Sequence, residues 1–323
     1  MSGNRLPVDT PAIASHPDSY LTRACPTCGA AAPKSSERMA SAPPAESLPF
    51  NDLRSCWRGF FRDRKPFFTY VRCASCGQLF SPHYFTPAQL DQLYSQMDDN
   101  TGGQDEALLV RAQRGYWQLL QRDTRLVSGD YLELGPDIGL FTREALAEPA
   151  LEKFWLIEPN TAVHPALDRL AGTRPHAILA DHARLADIPD GTLSLAVAIH
   201  VLDHLLDPQP LLEQIARKLK PGGCVLAVTH SERSLAARAF GARWPAYCLQ
   251  HPQLYAPATL QQAFERAGLR NVHVARSTNY FPVPYLLQHG LFAAGLGRHT
   301  IPLPASWVIG LKLGNIAAVG VKP

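Results

Sequence analysis

An α/β fold, built on a parallel sheet with helices on both faces and carrying a small cysteine-bearing unit on its N-terminal side, is predicted by three observations. Short apolar runs alternate with amphipathic stretches from residue 129 onward, the pattern of strands joined by crossover helices. One run, Tyr131-Leu-Glu-Leu-Gly-Pro-Asp-Ile-Gly139, opens into a glycine-pinned turn, and an acidic residue, Glu158, ends the next. Four of the seven cysteines stand in two Cys-x-x-Cys pairs, Cys25-Pro-Thr-Cys28 and Cys73-Ala-Ser-Cys76.

The turn carries the first chemical information. Gly135 lets the backbone bend sharply and approach a ligand, Gly139 lets the next helix start tight against the strand, and Glu158 is suited to accept both hydroxyls of a ribose. The spacing from Gly135 to Glu158 fits one strand–helix–strand unit. A dinucleotide pyrophosphate asks for G-x-G-x-x-G, whereas here the glycines enclose Pro136, Asp137 and Ile138. Proline removes an amide donor, and Asp137 sets an anion where a diphosphate would sit. S-adenosylmethionine has no phosphate, and its ammonium and sulfonium are cationic, so the turn suits it better. Further on, Ala177-Ile-Leu-Ala-Asp181 ends in a carboxylate, Leu193–Ile199 runs into His200, and Lys220-Pro-Gly-Gly223 leads into Cys224–Thr229.

In this order the segments resemble those of class I S-adenosylmethionine-dependent methyltransferases, over roughly residues 104–323. The resemblance implies a Rossmann-like seven-stranded sheet whose last strand, expected at Gly314 to Lys322, is antiparallel. It also implies cofactor-binding roles for Glu133, Gly135, Asp137, Gly139 and Glu158, for Asp181 beside the adenine, and for His200 within Ile199–His204, the segment facing the methyl donor. Leu219-Lys-Pro-Gly-Gly223 matches the turn before the fifth strand. One departure stands out: Asp137 replaces the middle glycine of the family's E-x-G-x-G-x-G. Aspartate tolerates left-handed backbone better than most residues.

A composition of 46% hydrophobic and 18% charged residues, with a net charge of only +3 in 323 residues, fits a soluble enzyme of about two domains and argues against an extended phosphate footprint. No apolar run reaches the roughly 18 to 20 residues needed to span a bilayer, and the first twenty residues lack a signal-peptide core. The expected location is the cytoplasm, and an odd cysteine count suits a reducing compartment. The two cysteine pairs together offer four thiolates, the ligand set of a structural zinc. The alternative is that one pair is redox-active or incidental.

The expected organisation is a flexible N-terminus over 1–24, a zinc-ribbon domain over 25–97 with a disordered Ala/Ser/Pro-rich insertion near 30–48, a hinge and capping helix over 98–128, and the methyltransferase domain over 129–323. The amphipathic helix, read over Gln104 to Val127, is expected over the cofactor mouth or the sheet edge. The apolar stretch near 278–313 is read as a substrate lid, with a membrane-surface or dimer contact and simple core packing as alternatives. The ribbon followed by Gln78–Tyr94 is similar to a methyltransferase subgroup with an N-terminal zinc-binding domain, whose members include sugar C-methyltransferases. In the ribbon, arginines and Lys65 interleave with Trp57, Phe60, Phe61, Phe67, Phe68 and Tyr70. That pattern serves either a nucleic-acid reader or a minimal aromatic core with arginines on its solvent face.

Methyl transfer needs mainly alignment and exclusion of water, and a base only when the acceptor must lose a proton. His200 and His230, at predicted strand ends, are the candidate bases, with a packing role as the alternative. Asp203 and His204 are expected to start the fourth helix, Asp203 as its cap. Arg243, Trp244, Tyr247 and His251 are candidate substrate residues, suited to an anionic acceptor, with an ordinary solvated helix as the alternative. The reading is thus a methyltransferase acting at oxygen or carbon of a small, anionic or sugar-containing metabolite. Its rivals are an RNA methyltransferase and a non-catalytic cofactor-binding interaction module.

Overall fold

A computed structural model describes residues 20–31, 38–57, 66–94, 105–293, 304 and 306–323. Seven strands form the main sheet: β1 Gly129–Leu134, β2 Leu151–Ile157, β3 His176–Leu179, β4 Leu193–Ile199, β5 Leu219–His230, β6 Arg270–Arg276 and β7 Asn315–Val321. Their order across the sheet is β6-β7-β5-β4-β1-β2-β3. The first five are parallel, and β7 is antiparallel to both β5 and β6. The order reverses between β1 and β4, so ligands are expected outside the carboxyl ends of those strands.

Alternate residues of each strand face opposite layers, which is why the strands read as nearly continuous apolar runs. Leu132, Leu134, Ala196, Ala198, Val225 and Ala227 pack with the helices Pro208–Lys218 and Pro257–Arg266 on one face. Tyr131, Leu195, Val197, Leu226 and Val228 pack on the other with the helices Glu106–Asp123, Leu140–Leu146 and His164–Ala171. The first of these helices begins at Asp105, whose carboxylate accepts from Ala107 N. Tyr116, Trp117, Leu119 and Leu120 lay its apolar stripe on one face of the sheet. The expected hinge over residues 98–103 lies outside the described residues, as does the expected flexible N-terminus apart from residues 20–24.

The N-terminal unit is not self-contained. Its sheet is made of Arg38–Met39, Tyr70–Arg72 and Leu79–Phe80, and the fourth strand, Gln253–Leu254, comes from the larger domain. Strands of two or three residues bury too little to stand alone. Aromatic packing supplies the rest: Trp57, Phe68, Tyr84 and Phe85 share one cluster with Leu249, and Phe67 and Tyr70 share another with Trp244. The stretch near 30–48 is not a disordered insertion throughout, because from Arg38 it is used. Met39 pairs with Tyr70, and the 3-10 turn Ala45–Ser47 buries Ala45 and sends Glu46 to the Thr69 amide. Residues 32–37 lie outside the described set.

Within 278–313, Asn279–Pro282 pairs antiparallel with Val308–Leu311, and the helix Val283–Ala293 follows the first of these strands. Tyr285, Leu287, Trp307 and Ile309 are exposed there. Among the described residues no helix is long and apolar enough to cross a membrane.

Candidate functional site

At the carboxyl end of β1 the turn takes left-handed backbone at three positions: Gly135 (φ 63°), Asp137 (φ 52°) and Gly139 (φ 78°). Asp137 therefore adopts the conformation for which the family uses glycine. At Gly139 a Cβ would lie 2.4 Å from a Leu170 methyl, so the close helix start needs glycine. Glu158, buried at the end of β2, fixes the turn by accepting from Asp137 N at 2.9 Å and Asn160 N at 2.8 Å. The amides of Gly135 and Gly139 go to Ile157 O and Pro136 O, and Pro136 has none to give. With these donors spent inside the protein, the turn offers a diphosphate fewer amides than a glycine-rich phosphate loop does. A carboxylate fixed beside a turn of this kind suits a nucleoside whose remaining charge is positive.

Glu133 is buried near the end of β1. Its carboxylate accepts from Tyr131 at 2.6 Å and Thr142 at 2.5 Å. Burial raises its pKa to about 7, against those two hydrogen bonds. A raised carboxyl pKa contributes stability that is complete below the unfolded value near 4.5 and is lost as pH rises toward 7. Glu133→Gln is expected to gain on the wild type by about 3 kcal/mol between pH 4.5 and 8, read by thermal unfolding across that range. A difference that does not change with pH would contradict the assignment. Asp181 ends the β3 segment, side chain exposed, and its carboxylate caps the turn at Ala183 N.

The carboxyl ends of β4 and β5, with the segment just before Gln253–Leu254, bring four histidines into one pocket. His200 has left-handed backbone (φ 54°) and donates its amide to Val228 O, which ties the end of β4 to β5. Ring centroids of His200 and His230 are 4.6 Å apart, His230 and His251 4.7 Å, and His251 and His204 4.6 Å. Asp203 lies among them, fully buried, with Oδ2 2.6 Å from His230 Nδ1. It does not cap a helix. Residues 201–204 form a turn, and the next helix starts only at Pro208. Asp207, not Asp203, occupies the cap position there.

Burial would raise Asp203, but the His230 hydrogen bond and the neighbouring imidazoles hold it well below the usual carboxylate range. Burial lowers His230, only partly offset by Asp203, and pushes His200 down to about 3. Burial also works to lower His251, yet Cys248, with Sγ 3.4 Å from Nδ1, and Asp203 raise it to about 9. The pocket thus holds imidazoles with pKa values driven apart. Of the candidate substrate residues, Trp244 is buried with its ring centroid 6.4 Å from that of His230, and His251 is buried in the pocket. Tyr247 stacks on Phe67 of the N-terminal unit, and Arg243 is exposed.

The four cysteines of the two pairs converge. Cys25 and Cys76 sulfurs are 3.5 Å apart, Cys28 and Cys73 sulfurs 3.6 Å, and all four lie within 4.8 Å of one another. A tetrahedral zinc with bonds of about 2.3 Å sets its sulfurs about 3.8 Å apart, so the group fits that ion. Each pair is followed by a left-handed glycine, Gly29 (φ 73°) and Gly77 (φ 78°), whose amide returns to the first cysteine's carbonyl at 2.9 Å. The repeated Cys-x-x-Cys-Gly was a sequence signal that spacing alone passes over.

The family described as methyltransferase domain matches residues 110–274, just over half the chain. The chain belongs to that methyltransferase family. The matched span of the methyltransferase includes both the Gly135–Glu158 region and the histidine pocket. No curated protein matches it. Among solved structures it is similar to a complex between the Haloferax volcanii Trm112 methyltransferase activator and a chain described as a methyltransferase (17% identity, TM-score 0.49, 71% of this chain and 100% of that one). It is also similar to a SAM-dependent methyltransferase from Archaeoglobus fulgidus (18%, 0.45, 68% and 95%) and to one from Leishmania major (14%, 0.45, 85% and 91%).

Proposed function

We propose that this methyltransferase carries a methyl group from S-adenosylmethionine to oxygen or carbon of a small metabolite, with zinc on Cys25, Cys28, Cys73 and Cys76 as a structural ion. The observation that carries the reading is a donor turn fixed by Glu158 beside buried Asp203 paired with His230, at the ends of adjacent strands β1, β4 and β5. When bound, S-adenosylmethionine supplies an electrophilic methyl on a sulfonium. Glu158 and the Gly135–Gly139 turn hold the nucleoside, and Asp181 is the acid assigned beside the adenine. Asp203 accepts the Nδ1 proton of His230, which leaves Nε2 as the lone pair that takes a proton from the acceptor. Environments that push neighbouring pKa values apart are how acid and base roles become separated. His200 packs behind that ring, and Trp244 and His251 bound the acceptor space. Exposed Arg243 is the group suited to an anionic or sugar-linked acceptor.

RNA is the weaker reading, because Trp57, Phe67, Phe68 and Tyr70 are buried and have no face left for base stacking. Arg72 is paired with Glu232 at 3.1 Å. Arg58, Arg62, Arg64, Lys65, Phe60 and Phe61 lie outside the described residues. A non-catalytic module is also weaker, since Asp137 keeps the turn geometry and a buried acid paired with a partly exposed histidine stands beside it. The test is release of S-adenosylhomocysteine with labelled methyl donor over a panel of hydroxylated and carboxylated metabolites and RNA. Asp203→Asn is expected to lower kcat/KM by about 10²- to 10⁴-fold while donor affinity holds. Unchanged turnover would remove the role given to the pair.

A further inference from the structure

Asp203 is fully buried, yet only one of its oxygens is used. Oδ2 serves both His230 Nδ1 at 2.6 Å and the His230 amide at 3.2 Å. Oδ1 has no hydrogen-bond partner among the described residues, and neither has His200 Nδ1. Shielded polar atoms are seldom left so, and two within one cluster point to a missing ligand. One donor atom from each of His200, Asp203 and His230 lies within 4.8 Å of the others.

We infer that His200, Asp203 and His230 hold a divalent transition-metal cation, distinct from the ion of the four thiolates. Two imidazoles and one carboxylate are the donor set of borderline cations such as nickel, cobalt, iron(II) or zinc, and suit magnesium poorly. At His230 the cation replaces the proton that Nδ1 shares with Asp203 Oδ2 at 2.6 Å, so Nδ1 and that carboxylate become its ligands. The surroundings supply the outer contact such ligands use. His200 Nε2 lies 3.2 Å from the side-chain amide of buried Asn315. Asn315 also meets the Asn279 side chain at 3.3 Å, and with both amides turned, Asn279 donates to Asn315, His200 Nε2–H donates to the Asn315 oxygen and Nδ1 becomes the ligand atom. Metal bonds of about 2.1 Å bring donors to about 3 to 3.5 Å of one another, so the pocket closes by about 1 Å through side-chain rotation. The inference rests on the reading that this pocket faces the acceptor. The cation would take an acceptor oxygen as a further ligand and lower its pKa, a route to the same deprotonation that His230 performs without it.

The experiment is calorimetric titration of nickel(II) into protein stripped with chelator and resupplied with one equivalent of zinc, with both metals quantified afterwards. One equivalent of nickel is expected beside retained zinc, without the absorption of nickel–thiolate charge transfer. Asp203→Asn and His230→Gln are each expected to weaken nickel at least tenfold. His200→Gln gives a further test should either variant fail to fold, and S-adenosylmethionine binding reports that the rest of the site is intact. No saturable nickel, or equal affinity in folded variants, would overturn the inference. Cation binding that fails while methyl transfer persists would leave the proposed function standing. Cation binding without any donor binding would count against the function alone.

Discussion

Loss of the ion held by the four cysteines, through Cys73→Ser or prolonged chelation, is expected to abolish methyl transfer while leaving S-adenosylmethionine affinity within a few-fold. The path between the cysteines and the pocket is explicit. Arg23, two residues before Cys25, donates to Leu206 O at 2.6 Å and to the Gln253 side chain at 3.0 Å. Gln253 in turn donates to Leu202 O at 2.6 Å and Leu205 O at 2.7 Å, and so brackets the turn that carries Asp203. Tyr70 and Tyr84 reach His251 O and Leu249 O from the same unit. A metal of this kind contributes about 10 to 16 kcal/mol of folding free energy in small domains, far more than strands of two residues can replace. The donor side has no such dependence, because Glu158 and the Gly135–Gly139 turn are anchored in β1 and β2. The check is donor titration and turnover on the same metal-depleted sample. Full turnover without metal, or simultaneous loss of donor binding, would contradict this wiring.

Glu158→Ala is expected to weaken S-adenosylmethionine by about 10²-fold or more. The substitution removes the acceptor assigned to the ribose and strands the amides of Asp137 and Asn160, each bonded to the carboxylate. Hydrogen bonds to a charged group contribute about 1.5 to 3 kcal/mol each, and factors of ten follow from every 1.4 kcal/mol. Asp137 depends most on that anchor, since it holds a left-handed turn without being glycine. Glu158→Gln keeps one acceptor and is expected to fall between the two. Calorimetric affinities of the three proteins measure the series, and equal values would remove Glu158 from the site.

The legible part of the fold was local and periodic. Strand runs, the crossover helices and the Gly135–Glu158 unit follow from patterns within some thirty residues, and the antiparallel last strand followed from the family resemblance. The pairing of Gln253–Leu254 with Leu79–Phe80 was not legible, because two residues carry no periodicity and the partners lie far apart in sequence. At Asp203 the sequence suggests a helix cap, but the chain turns there and the next helix starts at Pro208. The burial of Asp203 beside His230 depends on β5, a contact with no short-range signature. His200, His204, His230 and His251 are all expected at or after strand ends on the ligand side, and the fold adds the contacts between their rings. Trp244 and Tyr247 read as substrate residues in sequence, and the fold packs them against the N-terminal unit.

The most direct test is calorimetric titration of the metal-quantified protein with S-adenosylmethionine and, separately, with NAD. The amides of Gly135, Asp137 and Gly139 are committed within the protein and Pro136 has none, so the turn is poor in donors for a phosphate. Saturable micromolar binding of S-adenosylmethionine with no binding of NAD is the predicted result. Binding of NAD, or of neither ligand, would contradict the claim that the Glu158-anchored turn is a methyl-donor site.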